Sequence, residues 1–159
     1  MIPQEIHEKL TSRFGDAIPE ARLEGVHDPF IRVAPGSIRD VALFLRDAED
    51  LRFDALMCLS AVDYTKGKLG VVYHLHSMTL GHKITLKVDL TVDAPHCQSV
   101  ESVWKTANWH EREAYDMIGV VFDGHPDLRR LLMPYDWEGY PLRKDYQVPE
   151  YYNGMKVPY

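Results

Sequence analysis

The densest run of reactive side chains in this sequence is Trp109-His110-Glu111-Arg112-Glu113-Ala114-Tyr115-Asp116. On a helix, Glu113 and Asp116 stand three residues apart and project to neighbouring positions. Two such carboxylates form a general acid–base pair when burial separates their pKa values. That chemistry would make the chain a self-contained hydrolase or lyase. Arg112, four residues before Asp116, offers a competing partner, because residues at this spacing also pair as ions. An arginine within the cluster favours the structural reading, in which Glu111, Arg112, Glu113 and Asp116 form an ion-pair clip on one helix. If the clip is buried, loss of either partner leaves a charge unpaired.

Other reactive groups give weaker signals. His74 and His76 alternate on a strand and share a face, His96 adjoins Cys97, and His110 and His125 flank the end of the acidic helix. No two histidines have the i, i+4 spacing of helical ligands, and a zinc centre needs three or four ligands. No metal site is therefore expected. The two cysteines, Cys58 and Cys97, are too few for an iron–sulfur cluster, which takes four; they read as buried free thiols in a reducing compartment. Gly119 to Gly124 copies the glycine spacing of a phosphate loop, but His125-Pro126 replaces its Lys-Ser/Thr. Dinucleotide and nucleophile-elbow motifs are absent. The sequence offers no recognisable redox centre of its own.

The elements that position these groups follow from periodicity. Residues 3–14 read as an amphipathic helix on Ile6, Leu10 and Phe14. Short strands are expected over 21–26 and 30–34. Ser37, with Asp40 three residues on, opens a helix whose stripe is Ile38, Val41, Ala42, Leu45 and Ala48. Three strands follow as a meander. Residues 53–63, apolar on both faces, read as a central strand, and 69–78 as the second. In the third, Ile84, Leu86, Val88, Leu90 and Val92 alternate with Lys83, Thr85, Lys87, Asp89 and Thr91, giving one buried and one polar face. Residues 98–106 are expected to be helical. A second helix should start at Asn108, with Glu111 completing a capping box, and should end at Gly119.

From residue 123 the character changes. Five of the ten prolines and six of the nine tyrosines lie at or beyond position 126, and periodicity fades. We read 1–122 as an α+β domain with a mixed sheet, an antiparallel three-stranded meander and helices on one side. We read 123–159 as an extended arm lying on partner proteins, because Tyr, Trp and Arg are enriched at interfaces. The alternative is an arm packed on its own domain. The net charge of −6 and the mixed signs along the chain speak against nucleic acid as a partner. No apolar run reaches the ~18 residues of a membrane span, and the N-terminus lacks the pattern of a signal peptide. A soluble or peripheral, cytoplasmic protein is expected.

The run Glu111-Arg112-Glu113-Ala114-Tyr115-Asp116-Met117-Ile118, followed by His125, Arg129 and the apolar Leu131-Leu132, resembles the signature of the C subunit of respiratory complex I, the proton-pumping NADH:quinone oxidoreductase. The continuation Met133-Pro134-Tyr135-Asp136-Trp137-Glu138-Gly139-Tyr140-Pro141-Leu142-Arg143-Lys144-Asp145-Tyr146 and the earlier Leu59-Ser60-Ala61-Val62-Asp63-Tyr64 are also similar to that family. The resemblance implies a structural subunit of the hydrophilic arm, peripheral on the cytoplasmic side of the bacterial inner membrane. The flavin mononucleotide, iron–sulfur clusters and quinone would belong to partner subunits and not to this chain. Its partners would be the D subunit, which helps form the quinone cavity, and the B subunit, with membrane contact only through the assembly. Glu111, Arg112, Glu113, Asp116, His125 and Arg129 would be the signature ion-pair set. Arg130, Trp137, Tyr140, Arg143 and Tyr146 would face partners. Related subunits in membrane-bound hydrogenases, archaeal coenzyme F-dependent dehydrogenases and photosynthetic complexes share the Glu-Arg-Glu element, so such a host is the alternative.

Overall fold

The structure, a computed structural model, describes residues 1–157; the last two residues of the expected arm lie outside them. Helix α1 (Pro3–Phe14) opens with Pro3 at its first position, where a missing N–H costs nothing, and the Glu5 carboxylate accepts the Ile2 N–H at 2.9 Å. Strands β1 (Ala21–Arg22) and β2 (Phe30–Arg32) are shorter than expected, because residues 24–28 form a run of bends. Helix α2 (Ile38–Asp47) buries Ile38, Val41, Ala42 and Leu45 of the expected stripe; Ala48 follows the helix as its C-cap and is half-buried. The Ser37 side chain makes no cap, so the expected Ser37–Asp40 pair does not form. Gln98, distant in sequence, accepts the Arg39 N–H instead, at 3.3 Å.

The meander forms as β3 (Ala55–Asp63), β4 (Lys68–His76) and β5 (Lys83–Thr91). Strand β2 joins β5 in parallel, giving a five-stranded mixed sheet of order β1-β2-β5-β4-β3. Strand β3 therefore lies at an edge, not at the centre. Its apolar character has another origin. Leu56 and Leu59 point into the core, a bulge between Leu56 and Cys58 leaves Met57 exposed, and Phe53 is buried ahead of the strand against His82.

In the register, Leu69, Val71, Tyr73 and Leu75 of β4 oppose Leu90, Val88, Leu86 and Ile84 of β5. All eight are buried in one cluster with Ile6 and Leu10 of α1 and the stripe of α2. The helices thus cover one face of the sheet, as the alternation in β5 requires. Thr85, expected on a polar face, is buried nonetheless.

Residues 98–106 are not a helix. His96–Gln98 is a strand, β6, and the chain then passes through turns to α3 (Ala107–Ile118). Val100, Val103 and Trp104 are buried all the same. A single turn from Val100 to Trp104 holds them, and the Trp104 indole N–H donates to the Phe53 carbonyl at 2.9 Å. Asn108 lies inside α3, so the expected capping box with Glu111 is absent. Gly119 does end the helix, in the left-handed region at φ +82°. Strand β7 (Val121–Asp123) pairs with β6 in parallel, and β8 (Tyr151–Tyr152) with β9 (Met155–Lys156) forms a small hairpin in the arm.

Candidate functional site

Helix α3 carries two fully buried carboxylates, Glu111 and Asp116. Five residues on a helix turn through about 140° net, so they face different surroundings. Each recruits the chain that follows or precedes it.

Glu111 looks back toward the turn before the helix. It lies 2.6 Å from the Ser99 hydroxyl, which donates to it, and accepts the Val100 N–H at 2.7 Å. Burial pushes its carboxyl up to about 7, with those two hydrogen bonds pulling the other way. The enclosed His125 ring lies 4.0 Å away. His125 Nδ1 accepts the Asp127 N–H at 3.0 Å, so its proton sits on Nε2, which donates to the Asn108 carbonyl at 3.1 Å. The imidazole is thereby a strut between the start of α3 and the start of the arm.

Asp116 looks forward. Oδ2 accepts the N–H groups of Leu131, Leu132 and Met133 at 3.0, 2.6 and 2.9 Å, and Oδ1 accepts Arg130 Nη1 at 2.8 Å. Burial alone would raise this carboxyl. The Met133 N–H, the Arg130 guanidinium and the Leu132 and Leu131 N–H groups outweigh it and hold the pKa below the ordinary value. Such a carboxylate is a fastening, with its acceptor positions taken. Glu113 is exposed, so the Glu113–Asp116 acid–base pair does not assemble.

The expected Arg112–Asp116 pair also fails to form; Arg130, fourteen residues along, takes that role. Its Nη2 also donates to the carbonyls of Trp137 and Gly139 at 2.9 and 3.0 Å. Arg143 Nε donates to the Ile118 carbonyl at the end of α3 at 2.6 Å, and its guanidinium lies over the Tyr140 ring. Leu142 N–H reaches the Met117 carbonyl, and Lys144 N–H reaches Asp63 on β3. Trp137 Nε1 donates to the Tyr146 hydroxyl at 3.0 Å. Gly119 makes this possible. A Cβ there would stand 2.6 Å from the Tyr140 ring and 2.8 Å from Arg143.

Of the residues expected to face partners, Arg130, Tyr140 and Arg143 hold the arm on α3, whereas Trp137 and Tyr146 bond to each other within the arm. Arg129 is exposed, paired with Asp127 at 2.8 Å and donating to the Tyr135 hydroxyl at 3.1 Å. Among the described residues the exposed large apolar side chains of the arm are Leu132, Tyr135, Leu142, Val148, Tyr151 and Met155, and Trp109 on α3 is exposed as well. Spacing rules find local partners, and so they missed Ser99, Val100 and Arg130. Among the described residues no group of three or more His, Cys, Asp or Glu is placed to hold a metal. Both cysteines are free thiols, but Cys58 is only half-buried; Cys97 is enclosed, 3.4 Å from the Tyr73 hydroxyl.

A helix-layered mixed sheet, with an acidic helix that fastens a Tyr- and Arg-rich arm, defines a class of α+β domain. The family model described as "Respiratory-chain NADH dehydrogenase, 30 Kd subunit" matches residues 31–152, and the chain belongs to that family. It is 51% identical over 156 residues to the NADH-quinone oxidoreductase C subunit of Chlorobium phaeobacteroides, covering 96% of this chain and 93% of that protein. Against the protein of the same name from Chloroherpeton thalassium it is 50% identical over 151 residues, covering 94% of this chain but 63% of the relative. In solved structures, a chain of an archaeal membrane-bound sulfane sulfur reductase superposes with TM-score 0.73 at 26% identity, over 91% of this chain and 85% of that one. The trypsin-resistant fragment of Nqo5 superposes with TM-score 0.60 at 25% identity, over 80% of this chain and all of the fragment.

Proposed function

We propose that this chain is a structural subunit of a proton-translocating NADH:quinone oxidoreductase, docking the quinone-site D subunit beside the B subunit. In this reading it binds no flavin, cluster or quinone, and sits peripherally on the cytoplasmic side of the inner membrane as part of the complex. Family membership over residues 31–152 supports the host. The observation that carries the positional role is the Asp116 fastening. It ties residues 130–133 to α3, and Arg130 carries the hold on to Trp137 and Gly139. The exposed aromatics of the arm are thereby held in place before any partner arrives. Electron transfer and quinone access depend on fixed geometry, and a rigid neighbour supplies it. No helix among the described residues is long and apolar enough to cross a membrane, which suits attachment through partners.

The likeness to the sulfane sulfur reductase chain, at TM-score 0.73, favours a second reading, the equivalent subunit of a related membrane-bound complex. Affinity purification through a tag on this chain separates them. Recovery of the D and B subunits with NADH:quinone activity supports the first. Recovery of a metal-binding large subunit from a hydrogenase-type complex supports the second.

A further inference from the structure

We infer that Arg112 is a preformed docking fork for a carboxylate, an Asp or Glu side chain on the partner protein that covers the α3 face. The inference rests on the reading of this chain as a subunit of a complex. Arg112 is 8% exposed, yet among the described residues no carboxylate lies within ion-pair distance of it. Its one side-chain hydrogen bond among the described residues runs from Nε to the Arg129 carbonyl, at 3.4 Å. Among the described residues the two terminal nitrogens have no hydrogen-bond partner, and neither is sealed inside the protein. Arg130, close by in the same structure, shows the contrast, since both of its terminal nitrogens are bonded and its charge is met by Asp116.

A largely desolvated guanidinium without counter-charge is costly. The surroundings of Arg112 hold it in that state and aim it outward. The Trp109 ring lies 5.2 Å from its guanidinium carbon and braces one face of the plane. The Nε bond fixes the near edge. What stays unbonded and accessible is the Nη1/Nη2 edge, the geometry that a carboxylate meets with two parallel hydrogen bonds.

The rim is of matching character. Trp109 is 63% exposed and Tyr135 74%, and Tyr135 is tied to Arg129, whose backbone carbonyl holds Arg112. An aromatic and apolar rim around one desolvated arginine is the composition of an interface hot spot, where surrounding contacts exclude water from a charged centre. Charge complementarity selects the occupant as a carboxylate on a protein with an apolar surround. Arg129 is neutralised by Asp127, and Glu113, the exposed carboxylate next along α3, forms no ion pair with Arg112 among the described residues, so the Arg112 guanidinium is left without a counter-charge.

The test uses the assembled complex, purified through a tag on this chain and washed with salt. Arg112→Gln, Arg112→Lys and Trp109→Ser are compared with wild type, and the melting temperature of each full-length chain alone is recorded. Because Trp109 is exposed, its variant keeps the fold even if an Arg112 variant does not. The expected result is a loss of retained partner of about tenfold or more for Arg112→Gln, a smaller loss for Arg112→Lys because it keeps charge but not the fork, and weakening in Trp109→Ser. Wild-type retention in both Arg112→Gln and Trp109→Ser overturns the inference while leaving the subunit reading intact. If the wild-type chain retains no partner at all, the subunit reading itself fails.

Discussion

Replacing Asp116 should release the arm from helix α3. The carboxylate accepts three backbone N–H groups on Oδ2 and the Arg130 guanidinium on Oδ1, and it is fully buried. Asp116→Ala removes all four interactions and leaves Arg130 enclosed without its counter-charge. Breaking a buried pair from one side costs about 3–5 kcal/mol, and hydrogen bonds to a charged group contribute roughly 1.5–3 kcal/mol each. These do not add, because the freed 131–133 backbone takes up water. We therefore expect about 3–5 kcal/mol in all. Asp116→Asn keeps an oxygen for the backbone but turns an NH2 toward Arg130, and should lose about 2–3 kcal/mol, the strength of one charged hydrogen bond. Part of the loss will appear as local opening of the arm ahead of global unfolding. The assay is urea unfolding together with hydrogen exchange at the amides of Leu131, Leu132 and Met133, with Arg130→Met completing a double-mutant cycle. Unchanged protection of those amides in Asp116→Ala, with stability within about 1 kcal/mol of wild type, would show that the carboxylate does not hold the arm.

The other half of the helix, its terminal glycine and the enclosed thiol are each open to a similar check. Glu111 has its folded-state pKa raised to about 7 from 4.5, chiefly by burial, so its contribution is fully present below pH 4.5 and is lost as pH rises through 7; at 1.36 kcal/mol per unit the change is about 3 kcal/mol. Glu111→Gln should flatten that stretch of the stability profile, whereas wild-type and variant curves running parallel from pH 4.5 to 8 would rule out a raised Glu111. Gly119→Ala forces a side chain into a φ of +82° and against Tyr140 and Arg143, which should cost roughly 1–3 kcal/mol by thermal melting; adding Tyr140→Ala should recover part of it, and strict additivity would argue against the contact. Burial raises the Cys97 thiol to about 12, so alkylation of the native chain at pH 8 should modify Cys58 and spare Cys97 until unfolding; equal labelling of both in the folded state would show that Cys97 is not enclosed.

Much of this fold is legible in the residues, where signals are local. The β5 alternation places Ile84, Leu86, Val88 and Leu90 on the core face, and Ile38, Val41, Ala42 and Leu45 of α2 are buried as their spacing requires. Gly119 ends α3 for the conformational reason that glycine ends helices. Tertiary demand overrode local rules elsewhere. Residues 98–106 have a helical apolar stripe, but β6 pairs with β7 and a turn suffices to bury Val100 and Trp104. Glu111 has capping-box spacing, yet Ser99 and Val100 claim its carboxylate from outside the helix. The acidic cluster does lie on α3, but its carboxylates find their partners outside the helix. Asp116 and Arg130 lie fourteen residues apart across a turn, and no periodicity reports such a pair. The aromatic content of the arm marks it as something that packs, and here it packs first on its own domain.

If residues 130–146, fixed to α3, present the surface on which a partner subunit rests, the arm must be ordered before assembly. Hydrogen exchange of this chain, alone and within its purified host complex, measures that order amide by amide. Leu131, Leu132 and Met133 should be protected in both states, while Trp109, Tyr135 and their neighbours gain protection only in the complex. Arm amides that exchange freely in the isolated chain and become ordered only on assembly would mean that the partner, and not Asp116, shapes this surface.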